Sequence, residues 1–235
     1  RIRMRRSNYL VGHTMTQNLY EEGSIFGRVM DENTLSQLTT DDLHAFHKAA
    51  YSQNGMRISI SGKPSEKSIE SIAKTFGSTW RPEVKVGDCP TPVYREWTEN
   101  PIIINREGST QASILMACPF LSIGHPDVQT MSFVNMILGG YFGSRLMQNI
   151  REKKGLTYGI NSITDIHRDF GLLKIASEVE PNSCDVVIGE IFAEMNRMCT
   201  EPIDEEELMM ARNYVKGVMY QNYETTFSSA DSINS

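Results

Sequence analysis

Apolar positions recur along this chain at two periods, and the period changes mark out its elements. From Thr39 to Tyr51, Leu43, Phe46 and Ala50 share one face of a helix, and Thr39 with Asp42 three residues on forms a capping-box pattern. Met56, Ile58 and Ile60 then alternate with Arg57, Ser59 and Ser61, the period-two pattern of a half-buried strand. After Gly62-Lys63-Pro64, Ser65 caps a predicted helix with Ile69, Ile72, Ala73 and Phe76 on one side, ended by Gly77. Periodicity lapses from Ser78 to Asn100, where Pro82, Pro90 and Pro92 gather, so a linker and a domain boundary are expected there.

Beyond the linker, Ile102 to Arg106 and Gln111 to Ala117 read as a hairpin, its second strand apolar enough to be central. Pro126 suits the first turn of a helix reaching Leu138, and Ser144 is placed to cap another that ends at Lys154, with Gly155 supplying a left-handed stop. Leu156 to Ile166 and Leu172 to Val179, joined by R-D-F-G, form a second predicted hairpin. Val187, Ile191, Met195 and Met198 mark a helix, and a long final one opens at Asp204 with Glu207 in the capping-box position. Hairpins interleaved with helix pairs predict an α+β fold, antiparallel-rich sheets with helices packed on one face.

The glycine between Lys154 and Leu156 matters for chemistry as well as for chain direction. It brings Arg151, in the last turn of a helix, and Tyr158, at the start of a strand, onto two elements that meet at one point. The residues alone fit two readings: an arginine complementing a helix dipole beside a core tyrosine, or two long polar side chains reaching one external spot.

The ordered set of motifs favours the second reading, through a family resemblance. H-P-D at 125–127, I-L-G-G at 137–140, S-R-L at 144–146, I-R-E-K-K-G-L-T-Y-G-I at 150–160 and the later D-F-G-L resemble the non-catalytic domain of the pitrilysin (insulinase) family of zinc metallopeptidases. Gly23 to Gly62 is similar to the end of one structural repeat of that family, and residues from Pro101 onward to the start of the next. The resemblance implies residues 1–77 as the end of one repeat (helix, strand, helix), 78–100 as linker, and 101–235 as a non-catalytic peptidase domain truncated at its end. It also suggests that residues 1–77 dock on the sheet of 101–235, or on that of another chain, in place of the missing segment. In active members an arginine and a tyrosine at this spacing face the peptidase chamber and contact the substrate backbone across from zinc, so the resemblance assigns substrate contact to Arg151 and Tyr158.

Zinc itself is expected elsewhere. An inverted zincin needs H-x-x-E-H on a helix, and none of the five histidines begins one. His44-A-F-His47-K puts histidine where the base belongs and lysine where the second ligand belongs; the pair reads as helix-edge histidines, and His13 and His167 carry no pattern. The chain alone is thus expected to bind no catalytic zinc and to cleave nothing. Its implied partners are a catalytic half, in the same protein or on a partner subunit, and peptide substrates. The alternative is a scaffold or assembly subunit derived from this family, like the core proteins of some respiratory complexes; the intact arginine and tyrosine argue mildly against it.

Composition removes other classes. A formal net charge of −6 disfavours nucleic-acid or anionic-membrane binding, and the basic opening R-I-R-M-R-R reads as a solvated helix face. No run approaches the ~18 apolar residues of a membrane span. Cys89, Cys118, Cys184 and Cys199 show no C-x-x-C pairing and read as unpaired buried thiols. The run G-G-Y-F-G-S-R at 139–145 lacks the lysine and spacing of a phosphate loop, and close helix packing explains its glycines better. H-P-D also occurs in chaperone J-domains, but between two charged helices, whereas here it follows an apolar strand. With no initiator methionine or leader-like segment, the chain is expected to be a piece of a longer protein.

Overall fold

A computed structural model of the chain describes residues 6–51, 58–77, 90–96 and 101–234. They form two compact units, one from residues 1–29 and 91–214 and the other from residues 30–90 and 215–235.

The first unit is built on a three-stranded antiparallel sheet of order β1-β3-β2, from β1 (Ala112–Phe120), β2 (Thr157–Ile166) and β3 (Gly171–Val179). Strand β3 is central rather than β1, and more of its residues are buried than in either neighbour. The R-D-F-G connection forms the expected hairpin, and Gly171 enters it beside the carbonyl of Leu121, where a Cβ would lie 2.3 Å from the oxygen. Ile102 to Arg106 do not pair into a hairpin with β1: Ile102 and Ile103 are exposed, so no buried face rewards pairing.

Helix α1 (Ser7–Leu19) packs on β1, and helix α5 (Val128–Asn135) packs on β2 and runs on as a widened turn over Met136–Gly140. A second widened helical segment, Met147–Lys153, lies against β2, and α6 (Cys184–Thr200) covers both. Their shared core holds Leu138, Leu146, Ile150, Ile160, Ile175, Val187 and Ile191. Leu146, Ile150, Val187 and Ile191 are wholly excluded from solvent, each contributing roughly 1.5–3 kcal/mol of burial. Helix α7 (Glu205–Asn222) starts on Asp204, whose carboxylate accepts the Glu207 N–H at 2.8 Å. Glu207 does not close the capping box, because its carboxylate is engaged by Arg145.

The second unit contains α2 (Glu32–Gln37), α3 (Thr40–Ala50), α4 (Glu66–Gly77) and α8 (Thr226–Asn234). The α3 capping box forms as expected: Asp42 N–H donates to Thr39 Oγ1 at 3.2 Å, and Thr39 N–H to Asp42 Oδ2 at 2.9 Å. Ser65 likewise caps α4, accepting the Ser68 N–H at 3.1 Å. Of the expected strand at 56–60, Met56 and Arg57 lie outside the described residues, and Ile58 to Ile60 are not in a strand.

The thiol expectation holds in part. Cys118, Cys184 and Cys199 are free, but Cys118 and Cys184 are only half-buried and Cys199 is exposed, while Cys89 lies outside the described residues, as do residues 1–5 of the basic opening. Among the described residues no helix is long and apolar enough to cross a membrane.

Candidate functional site

Two elements set the face that carries Arg151 and Tyr158. The first is the helical segment ending at Gly155. Leu146, Met147 and Ile150 anchor it in the core, which leaves Arg151 on its outer side. The segment is wider than an α-helix: Lys154 N–H donates to the Asn149 carbonyl, five residues back, at 3.1 Å. Gly155 then takes φ +64°, the left-handed stop expected of it, and the N–H groups of Gly155 and Leu156 close onto the carbonyls of Arg151 and Ile150, each at 3.0 Å. Ser144 does not cap the start; its hydroxyl is buried without a partner in the structure, because the chain arrives through the tight turn that bonds Ser144 N–H to the Tyr141 carbonyl.

Arg151 is about one-third exposed, with its guanidinium 4.7 Å from the centre of the Phe142 ring and Nη1 2.8 Å from Glu152 Oε1. A cation over an exposed ring is worth about 0.5–1 kcal/mol, enough to bias the side chain toward one orientation without locking it.

Tyr158 owes its position to a β-bulge. Thr157 lies opposite Val179 and Ile160 opposite Ser177, so Tyr158 and Gly159 together face one residue, Glu178. Ile160 and Ser162 point inward, and strict alternation back from them would bury Tyr158 as well. The extra residue reverses the parity: Thr157 turns in, and Tyr158 turns out to 88% exposure. The core-tyrosine reading is thereby excluded for this position.

Between the two elements lies a groove of about 330 Å³, floored by Met147 and Ile160 and walled by Gly139, Gly140, Tyr141 and Phe142 on one side and Gly159 and Asn161 on the other. Neither Arg151 nor Tyr158 lines the groove; Arg151 meets the lining residue Phe142, and Tyr158 precedes the lining residue Gly159 in the strand. The glycines serve close packing, as expected from sequence: a Cβ at Gly139 would lie 2.6 Å from Ser162 Cβ and 2.9 Å from Leu146 Cδ1. The same contact is tied by Asn135, whose Nδ2 donates to the Ser162 carbonyl at 3.3 Å and whose Oδ1 accepts the Ser162 hydroxyl.

A charged lattice steadies the helical segment from behind. Asn149 Nδ2 donates to Glu190 Oε2 and Glu194 Oε1, each at 2.8 Å, and Lys154 pairs with Glu190. Hydrogen bonding from Lys154, and then from Asn149, holds the Glu190 carboxyl below the usual carboxylate range. Glu194, almost wholly buried, also meets Arg197 at 3.1 Å. Arg145 makes a bidentate pair with Glu207 at 2.7 and 2.8 Å, and that hydrogen bonding holds its guanidinium firmly charged. Burial, with Glu207 nearby, pushes the Tyr141 phenol up.

Phe142, Thr157, Asn149, Glu190 and the Arg145–Glu207 pair were not singled out by sequence; only the Phe inside a glycine run gave a signal, and the pairs join residues 41 or more positions apart. Among the described residues no three His, Cys, Asp or Glu side chains are placed to hold a metal ion. His44 and His47 lie on an exposed stretch of α3, and the His47 ring stacks on Tyr51 with centres 5.1 Å apart.

Residues 37–215 match the family model described as the peptidase M16 inactive domain. Among curated proteins, the chain is 27% identical over 197 residues to YmxG, an uncharacterized zinc protease of Bacillus subtilis, covering 84% of this chain and 47% of that protein. It is 24% identical over 190 residues to an uncharacterized zinc protease of Rickettsia felis, covering 78% and 43%. The chain therefore spans about half the length of the curated relatives it matches. Its fold is similar to a peptidase M16 inactive domain from Pseudomonas fluorescens, with TM-score 0.83 at 22% identity over 98% of this chain and 55% of that one. It is also similar to the periplasmic protease PqqL from Escherichia coli, with TM-score 0.72 at 16% identity over 97% and 25%. With the matched residues spanning both the Arg151 helix and the Tyr158 strand, the chain belongs to the peptidase M16 family, as its inactive domain.

Proposed function

We propose that this chain is the non-catalytic part of a zinc-dependent endopeptidase, forming one wall of its peptide-binding chamber. The observation that carries the reading is the 88% exposure of Tyr158, thrown outward by a bulge next to a groove whose lining residue Phe142 lies under the Arg151 guanidinium. A tyrosine in a strand is ordinarily a core residue, and solvent gives no return for a bulge that exposes one; a ligand does.

In this reading Arg151 and Tyr158 donate hydrogen bonds to the backbone of an extended peptide near the carbonyl that becomes an oxyanion. The catalytic half, on the same protein or on a partner subunit, holds the zinc that supplies activated water. The assignment of residues 1–77 and 101–235 to consecutive repeats, joined through 78–100, belongs to the same proposal.

The test is hydrolysis of a quenched unstructured peptide by the full-length protein, with and without chelator, beside Arg151→Ala and Tyr158→Phe. Chelator-sensitive activity that falls on the order of 10²-fold in kcat in each variant is expected. A full-length protein with no such activity would favour the scaffold reading instead.

A further inference from the structure

The parity reversal at Tyr158 has a specific chemical cause. A bulge breaks the regular ladder, so its backbone groups need acceptors and donors from elsewhere. Here two inward-facing hydroxyls provide them. Thr157 Oγ1 accepts the Gly159 N–H at 3.1 Å and the Ser177 hydroxyl at 3.0 Å, and lies 2.6 Å from the Glu178 carbonyl, to which it donates. One hydrogen and two lone pairs are thereby all used. The Gly159 carbonyl lies 3.1 Å from Ser177 Oγ and 2.9 Å from Thr157 Oγ1, an alternative acceptor for the single hydrogen of either hydroxyl. Thr157 and Ser177 are 9% and 5% exposed, so water does not compete for these bonds. The pair joins both strands across the bulge and leaves no polar valence of Thr157 for anything else.

We infer that Thr157 and Ser177 are positioning residues, a buried hydroxyl clamp that fixes the bulge and thereby aims Tyr158 at the bound peptide. The inference rests on the proposed function for the ligand, and on geometry for the clamp. Valine at 157 keeps the β-branched shape but removes the acceptor for Gly159 and Ser177 and the donor to Glu178. The strand then relaxes toward regular alternation, which draws Tyr158 inward.

Two readouts in the full-length protein separate the clamp from the function it serves. In peptide hydrolysis, Thr157→Val should lower kcat about 10- to 100-fold with little change in KM, since misplacement of a reacting contact by ~1 Å costs on that order. Thr157→Ser should rescue, and Ser177→Ala should fall between. Added to Tyr158→Phe, Thr157→Val should cost nothing further, because it acts through Tyr158. The second readout is the 19F resonance of 3-fluorotyrosine at position 158, assigned by its loss in Tyr158→Phe. It should shift or split in Thr157→Val and return in Thr157→Ser. An unmoved resonance, or an equal kinetic penalty with and without the Tyr158 hydroxyl, would overturn the clamp. If the resonance moves while Tyr158→Phe matches the wild type in activity, the clamp stands and the substrate role of Tyr158 fails.

Discussion

Gly139→Ala should destabilise the first unit more than any other single-methyl addition at a glycine in its helices. The new Cβ would sit 2.6 Å from Ser162 Cβ, 2.9 Å from Ser162 N and 2.9 Å from Leu146 Cδ1. Carbon contacts are comfortable near 3.5–4.0 Å, so the overlap is about 1 Å. Two of the three atoms belong to the frame of β2 and cannot rotate away, and Leu146 is wholly buried with no space to swing into. Relief requires the helix and β2 to part, which stretches the Asn135–Ser162 hydrogen bonds and loosens the core around Ile160. Overpacking of this kind costs about 1–3 kcal/mol, and the rigid neighbours place this site at the upper end, near 3 kcal/mol. At about 2–4 °C per kcal/mol for a unit of this size, the unfolding midpoint should fall roughly 6–12 °C. Gly189→Ala is the internal control: it lies on the exposed face of α6 with nothing within 4 Å of its Cβ, and should gain about 0.5–1 kcal/mol. Urea and thermal unfolding of both variants make the comparison. A Gly139→Ala protein as stable as the wild type would refute the close-packing account of the glycine run.

Two further perturbations address the charges around the site. Glu207→Ala should cost about 2–3 kcal/mol in urea unfolding, somewhat below full burial because both partners keep a little exposure, and Arg145→Met with Glu207→Leu should cost less than either truncation alone; an inert Glu207→Ala would contradict the pair's role in holding α7. Glu190 has a depressed folded-state pKa, so its contribution is present above the ordinary carboxylate value of about 4.3 and is lost as pH falls through the lower folded-state value. The stability gap between wild type and Glu190→Gln should therefore be constant from pH 7 down to about 5 and close at lower pH; a gap that does not change with pH would contradict the assignment.

Local signals in the sequence carried the helices and the second hairpin because each is specified within a few residues. Thr39 with Asp42, Ser65, Gly155 and the R-D-F-G turn all do in the structure what their chemistry requires. Failures came where a distant partner decides. Ile102 to Arg106 are rich enough in β-branched residues for a strand but find no buried face, and β3 rather than β1 is central because pairing order is a tertiary outcome. Ser144 is a good cap by type, yet the turn from Tyr141 carries its hydroxyl into the interior. Arg151 and Tyr158 were singled out by spacing and family resemblance. Their surroundings were not, because a bulge shifts parity without changing composition, and Phe142 meets Arg151 only after the glycine run has turned back.

In the proposed function an extended peptide lies against Tyr158. Placing a benzoylphenylalanine photocrosslinker at position 158 of the full-length protein, with Phe192 on α6 as a control site, tests it directly. The expected result is a peptide adduct at 158 that excess unlabelled peptide suppresses, and little at 192. No adduct at 158, or equal unsuppressed labelling at both positions, would contradict it.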